Sequence, residues 1–297
     1  MAQDPLHFKD GDTVALVGNT FVEREQRDGF IELALTLSAA QADVTFRNLG
    51  WSGDTVDGRA RRFFGPTRDG FKHLLDHLDH VTPTVIFVSY GTNAAFDGPS
   101  GRAAFVEGYD KLLDELQERA ERIVLLTSPP LDAAASPAPE IAKDVNAELG
   151  WQAAHLRKIA QKRKLHFVDV FTPLAALNAR GGVPGAMTDN GMHLTPLGYS
   201  LAARVIVREL GLASVPASAD LPAAGAKLGV KREQLRRRII EKNELFFRRH
   251  RPQNETYLRG FRKHEQGNNA AEIYAIDALV VEKDREIFAL RTAAVAD

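Results

Sequence analysis

The chain has 297 residues, 44% hydrophobic and 26% charged, a globular balance that excludes a disordered or fibrous protein. Its formal net charge of −1 provides no global field to draw nucleic acid or an anionic membrane, and the absence of cysteine excludes disulfides, thiolate metal sites and a cysteine nucleophile. No stretch nears the roughly 18 uninterrupted apolar residues a membrane-crossing helix needs, so neither membrane nor nucleic acid is an expected partner.

The start, residues 1–12, is polar and lacks the apolar stretch of a secretory signal. A native start at Met1 implies the cytoplasm, whereas a leader removed upstream would imply a periplasmic or secreted protein and leave no trace. A strand is expected at 13–18 (TVALVG), then a helix over 23–40, a strand at 44–49 and a helix near 71–78. A third strand at 84–90 leads to an amphipathic helix over 103–120, and a fourth at 122–127 to a helix over 141–162. The fifth strand, 165–170, is followed by a closing helix over 197–210, opened by Thr195 and Pro196. Five β-then-α units predict a parallel sheet with right-handed crossovers and helices on both faces, a three-layer α/β/α domain over 1–212. Ligands in such sheets bind outside the carboxyl ends of the strands.

Residues 213–228, rich in Ala, Pro and Ser, read as a linker to an extension over 229–297. Within it, 231–251 carries nine Lys/Arg against three Glu, with Leu235, Ile239, Ile240, Phe246 and Phe247 spaced for a basic amphipathic helix, solvated or docking. A second helix is expected over 272–290. Apolar residues of this extension need a surface, either the first domain or the same domain of a second subunit in a homo-oligomer. The polar stretch between the helices offers Asn254, Arg259, Arg262 and His264 as candidate substrate contacts, against the alternative of a peripheral tail.

Four polar clusters fall at strand ends: Gly18-Asn19-Thr20, Ser52-Gly53-Asp54-Thr55, Gly91-Thr92-Asn93, and Asp189 to His193 before the closing helix. Each alone is ordinary loop composition, but their order is specific. The arrangement resembles the SGNH (GDSL-type) hydrolase superfamily over essentially the whole first domain. The resemblance implies a flavodoxin-like fold with a five-stranded parallel sheet, and an esterase acting on a small acyl ester, such as an acetyl group on a carbohydrate. It implies Gly53 and Asn93 as oxyanion donors and His193 as base, with no metal and no organic cofactor. Thr20 stands where the family has its nucleophilic Ser, and Asn19 where it has Asp. Asn190, three residues before His193, occupies the place of the triad Asp, and the carboxylate of Asp189 lies one residue further back.

A threonine hydroxyl at the start of a helix can act as nucleophile and lend its own N–H to the oxyanion hole. The alternative is a helix cap, because Thr20-Phe21-Val22-Glu23 fits the T-x-x-E capping box. His193 is either a general base or a loop residue before the cap at Thr195. Asp189 can orient it if Asn190-Gly191 makes a tight turn; otherwise Asn190 holds the ring without a carboxylate's charge. Asn19 and Asn190 are further candidate substrate contacts. His73, Asp76, His77 and His80 share one helical face, expected to be solvated rather than metal-binding. The rival to an esterase is a catalytically silent module of the same fold that binds a ligand or partner.

Overall fold

The computed structural model describes residues 4–180, 186–212, 229–252, 255–258, 260–265 and 270–295. Five strands, Thr13–Gly18 (β1), Thr45–Asn48 (β2), Val85–Ser89 (β3), Arg122–Leu126 (β4) and His166–Val168 (β5), form one parallel sheet in the order β2-β1-β3-β4-β5. The side chains of β1, β3 and β4 are nearly all buried, as strands covered on both faces require, and edge strand β2 buries every second residue. Alternate residues serve opposite faces. Val14, Leu16, Val85 and Phe87 join one apolar cluster, and Ala15, Val17, Ile86 and Val88 join the other. Strand order reverses between β1 and β3, which opens a crevice at their carboxyl ends.

The helix expected over 23–40 is two helices, Thr20–Asp28 (α1) and Phe30–Ser38 (α2). Gly29, at φ 67°, breaks them in the left-handed region, and a Cβ there would lie 3.2 Å from Ile240. The sheet is flanked further by Thr67–Val81 (α3), the single turn Thr92–Ala95 (α4), Arg102–Gln117 (α5), Pro139–Arg163 (α6), Phe171–Ala179 (α7) and Pro196–Glu209 (α8). Sequence reading missed α4 and α7, whose short runs carry no clear apolar period. Thr195 caps α8, accepting from the Gly198 N–H at 3.3 Å, with Pro196 in the first turn.

The linker expected over 213–228 lies outside the described residues. Beyond it come Val230–His250 (α9), the turn Glu255–Leu258 (α10) and Ala270–Val295 (α11). α9 lies against α1, α2 and the edge strand β2, and Leu235 and Ile239 enter the same cluster as Val14 and Leu16. The basic face of α9 is divided: Lys231, Arg237 and Arg248 are exposed, whereas Arg232, Lys242 and Arg249 are buried in the docked side of the helix. Lys242, fully buried, pairs with Glu32 and donates to the Phe46 carbonyl of β2 at 2.8 Å, while Asn243 donates to Glu32 at 2.9 Å. Arg47 of β2 pairs with Asp284 of α11 at 2.6 Å. An edge strand exposes unpaired backbone groups that template aggregation; here the extension covers it. The histidine-bearing face of α3 is likewise not solvated throughout: His73 meets the Arg61 carbonyl at 2.8 Å, and His77 stacks on Trp51. Among the described residues no helix is long and apolar enough to cross a membrane.

Burial pushes the Glu32 carboxyl up and the Lys242 ammonium down from their ordinary values, so each depends on the other to stay charged. Lys242→Ala should therefore cost about 3–5 kcal/mol in chemical denaturation, because it strands a buried carboxylate. The paired change Glu32→Leu with Lys242→Met should recover most of that loss. A single variant with the parent's midpoint would contradict the assignment.

Candidate active site

The end of β1 turns directly into α1, and the cap of that helix is Asn19, not Thr20. Asn19 Oδ1 accepts from the Phe21 N–H at 3.2 Å, and its backbone carbonyl takes the Glu23 N–H at 3.0 Å. The capping-box alternative for Thr20 does not hold, because the helix starts one residue earlier than that pattern places it. The Thr20 hydroxyl is thereby released, and it accepts from the Gly53 N–H at 3.0 Å. Gly53 sits at φ 73°, a conformation that aims the N–H of an exposed loop back at α1 and that a side chain would strain. Asn93, in α4 just past β3, donates Nδ2 to the Gly53 carbonyl at 2.9 Å. An amide nitrogen carries two hydrogens, so one remains for another acceptor.

His193 lies in a tight turn closed by the Asp189 N–H on the His193 carbonyl at 2.9 Å. Asn190 Oδ1 accepts two backbone donors, Met192 N–H at 3.1 Å and His193 N–H at 3.0 Å. Those bonds orient the amide, leaving Nδ2 facing His193 Nδ1 at 3.2 Å. Asp189 stands 3.8 Å from the same nitrogen, beyond hydrogen-bond reach, and pairs instead with Arg24 at 2.9 Å. An amide donor opposite Nδ1 makes that nitrogen the acceptor and leaves the ring proton on Nε2.

Thr20, Gly53, Asn93 and His193 line one pocket of about 440 Å³, together with Asn19, Arg24 and the apolar Phe21, Phe96, Pro129, Leu131, Met192 and Leu194. Asn19 is buried, and its Nδ2 has no hydrogen-bond partner among the described residues. Of the candidate contacts in the extension, Asn254 and Arg259 lie outside the described residues. Arg262 and His264 are not among the residues lining the pocket. Arg262 is drawn to Glu265 three residues on and lies over the Tyr257 ring, and His264 is exposed.

Sequence reasoning missed the groups that hold the Gly53 loop. Asp54, fully buried, accepts from Arg61 Nε at 2.7 Å, from the Tyr90 hydroxyl at 3.1 Å and from the Ala60 N–H at 3.1 Å. Arg61 in turn donates to the Leu49 carbonyl at 2.7 Å. Burial, then the Asp54 carboxylate, pushes the Tyr90 phenol well above its ordinary value, so it stays a donor. The Ser-Gly-Asp-Thr string marked the loop but gave no sign of its buried partners.

Burial, then the Arg24 guanidinium, lowers the His193 pKa from its ordinary 6.5, opposed by Asp189. The ring is thus neutral at neutral pH, as a base must be. Removing the cation weakens the opposition to protonation. An NMR titration of the His193 ring should therefore give a midpoint below 6.5 in the parent and a higher one in Arg24→Gln. A midpoint that stays put or falls in that variant would refute the role given to Arg24.

Solved structures with this fold include a gut microbial diltiazem-metabolizing enzyme, at a TM-score of 0.51 and 20% identity over 71% of this chain. The chain spans about half of that enzyme's length, 49%. A catalytic mutant of an acetylxylan esterase from Geobacillus stearothermophilus matches at a TM-score of 0.55 and 15% identity, covering 69% of this chain and 97% of that one. At these identities the likeness is one of fold. No curated protein matches the chain in sequence. The GDSL-like lipase/acylhydrolase family model matches residues 17–201, from the end of β1 into α8 and across every strand-end loop described above, and the chain belongs to that family.

Proposed function

We propose that the chain hydrolyses a small acyl ester, with an acetyl group on a carbohydrate as the substrate class, through a threonine nucleophile. The observation that carries this reading is the bond from the Gly53 N–H to the Thr20 hydroxyl, in the wall of a pocket that His193 and Asn93 also line. Thr20 Oγ1 attacks the acyl carbon and its proton passes to His193 Nε2. The carbonyl oxygen becomes an oxyanion, accepting from the N–H groups of Gly53 and Thr20 and from the free hydrogen of Asn93 Nδ2. Collapse expels the alcohol, which takes the proton from His193, and water releases the acyl group by the same steps. The modest pocket and its apolar wall suit a short acyl chain, and the acetylxylan esterase sharing the fold motivates the glycan.

Asn190 sets the expected rate. A base needs Nε2 bare and the proton on Nδ1, yet the Asn190 amide presents a donor there. The working tautomer forms only if Asp189 leaves Arg24 and closes its 3.8 Å gap, or if Asn190 gives up its two backbone bonds. Where an amide replaces the carboxylate behind a catalytic histidine, turnover falls about 10⁴-fold. The same amide favours a second reading, a silent module that binds its ligand without turnover.

Hydrolysis of p-nitrophenyl acetate and of acetylated xylo-oligosaccharides decides between them. The parent should turn over slowly, and Asn190→Asp should raise kcat by about 10²–10⁴-fold. Thr20→Ser should retain or raise the rate, whereas Thr20→Ala and His193→Ala should remove most of it. A folded parent and a folded Asn190→Asp that are both inert would leave the binding module standing.

A further inference from the structure

Glu23 lies one turn into α1 from Thr20, and its side chain is only 5% exposed. In a capping box its carboxylate would reach back to the helix start. Here Glu23 Oε2 accepts the N–H of Ser52, the residue immediately before Gly53. The same oxygen receives Arg251 Nη1, at the end of α9, at 3.1 Å. The Arg251 guanidinium also sits 4.1 Å from the ring centroid of Trp51, the residue before Ser52, and 5.5 Å from that of Phe247. Trp51 is itself buried, and its N–H is bonded to the Gly18 carbonyl at 2.9 Å. Of the two residues preceding the Gly53 donor, Trp51 is therefore covered by the Arg251 guanidinium and Ser52 is held by the carboxylate that this guanidinium pairs with.

This grip has a physical consequence. A buried carboxylate is held in place when a cation faces it, and otherwise tends to turn toward water. That turn loosens its hold on the Ser52 N–H. The peptide planes of Ser52 and Gly53 are consecutive, and Gly53, without a Cβ, resists rotation weakly. A misplacement of about 1 Å at a reacting centre can cost on the order of 10²-fold in rate.

We propose that Arg251 is a positioning residue for the site: it holds Glu23, Glu23 holds the Ser52 N–H, and the Gly53 donor is thereby fixed on the Thr20 hydroxyl. The inference rests on the reading of Gly53 as an oxyanion donor. It makes the C-terminal extension part of the working site without any of its side chains touching substrate.

The test uses the full chain and compares Arg251→Ala, Arg251→Lys and Glu23→Gln with Arg238→Ala. Arg238 pairs with Glu241 and Glu286, so its loss weakens α9–α11 pairing without touching the loop. Two quantities are read: kcat and KM on p-nitrophenyl acetate, and hydrogen exchange of the amides of residues 51–54. Arg251→Ala should lower kcat about 10–100-fold with KM nearly unchanged, and speed exchange in the loop. Arg251→Lys should restore part of both, and Arg238→Ala should alter neither. Adding Arg251→Ala to Glu23→Gln should have little further effect, since the two act as one unit. If Arg251→Ala fails to fold, Glu23→Gln alone carries the same expectation. Parent-like kcat and exchange in Arg251→Ala, or equal losses in Arg238→Ala, would overturn the proposal. An inert parent would count against the esterase reading instead; the exchange measurement then decides the grip alone, faster exchange upholding it and unchanged exchange refuting it.

Discussion

The start of α1, just past β1, and the loop that leaves β2 meet at the hydrogen bond from the Gly53 N–H to the Thr20 hydroxyl. A parallel sheet sends its strand ends to one edge, but past those ends the ladder of backbone bonds stops. Each loop must then be held by something else, or its polar groups would point wherever solvent takes them. Asn19 caps the first helix, Glu23 accepts the Ser52 N–H, Asp54 anchors the same loop to Arg61 and Tyr90, and Asn93 donates to the Gly53 carbonyl. Buried charges of this kind add little net stability. Their service is geometric, because a donor fixed in advance needs no reorganisation when charge develops beside it.

The histidine loop shows how one atom exchange alters chemistry while leaving shape alone. A carboxylate at position 190 could accept from both backbone N–H groups and from Nδ1–H. The amide of Asn190 keeps the two backbone bonds and reverses the third. Arg24 adds to the effect from the other side, drawing Asp189 away from the ring and disfavouring the imidazolium. A ring that is well placed but carries its proton on the wrong nitrogen is the chief restraint on the proposed reaction.

The parts of this molecule that were legible in the sequence are those set by short-range pattern. Apolar runs such as TVALVG mark strands buried on both faces, and the strand-end clusters put Thr20, Gly53, Asn93 and His193 at one edge of the sheet. What was not legible depends on partners chosen by the folded chain. The Lys and Arg residues over 231–251 read as a solvated or docking face in sequence, but which of them dock is set by the fold: Lys242 and Arg251 serve Glu32 and Glu23, 210 and 228 positions away. Arg262 looked free to meet substrate and was claimed by Glu265 three residues on. The break at Gly29 is a glycine cap in the left-handed region, a local signal that the largely apolar run of 30–37 conceals. Whether Asp189 or Asn190 faces His193 turns on side-chain angles within one turn, below the resolution of spacing arguments.

In the proposed reaction the Thr20 hydroxyl forms the covalent bond to the acyl group. Reaction with an activated acetyl ester, quenched in acid and followed by peptide mass spectrometry, tests it directly. An acetyl group is expected on Thr20, present in the parent and lost when His193 is replaced by Ala. Ester turnover with Thr20 unmodified and the acetyl group trapped on another residue would contradict it.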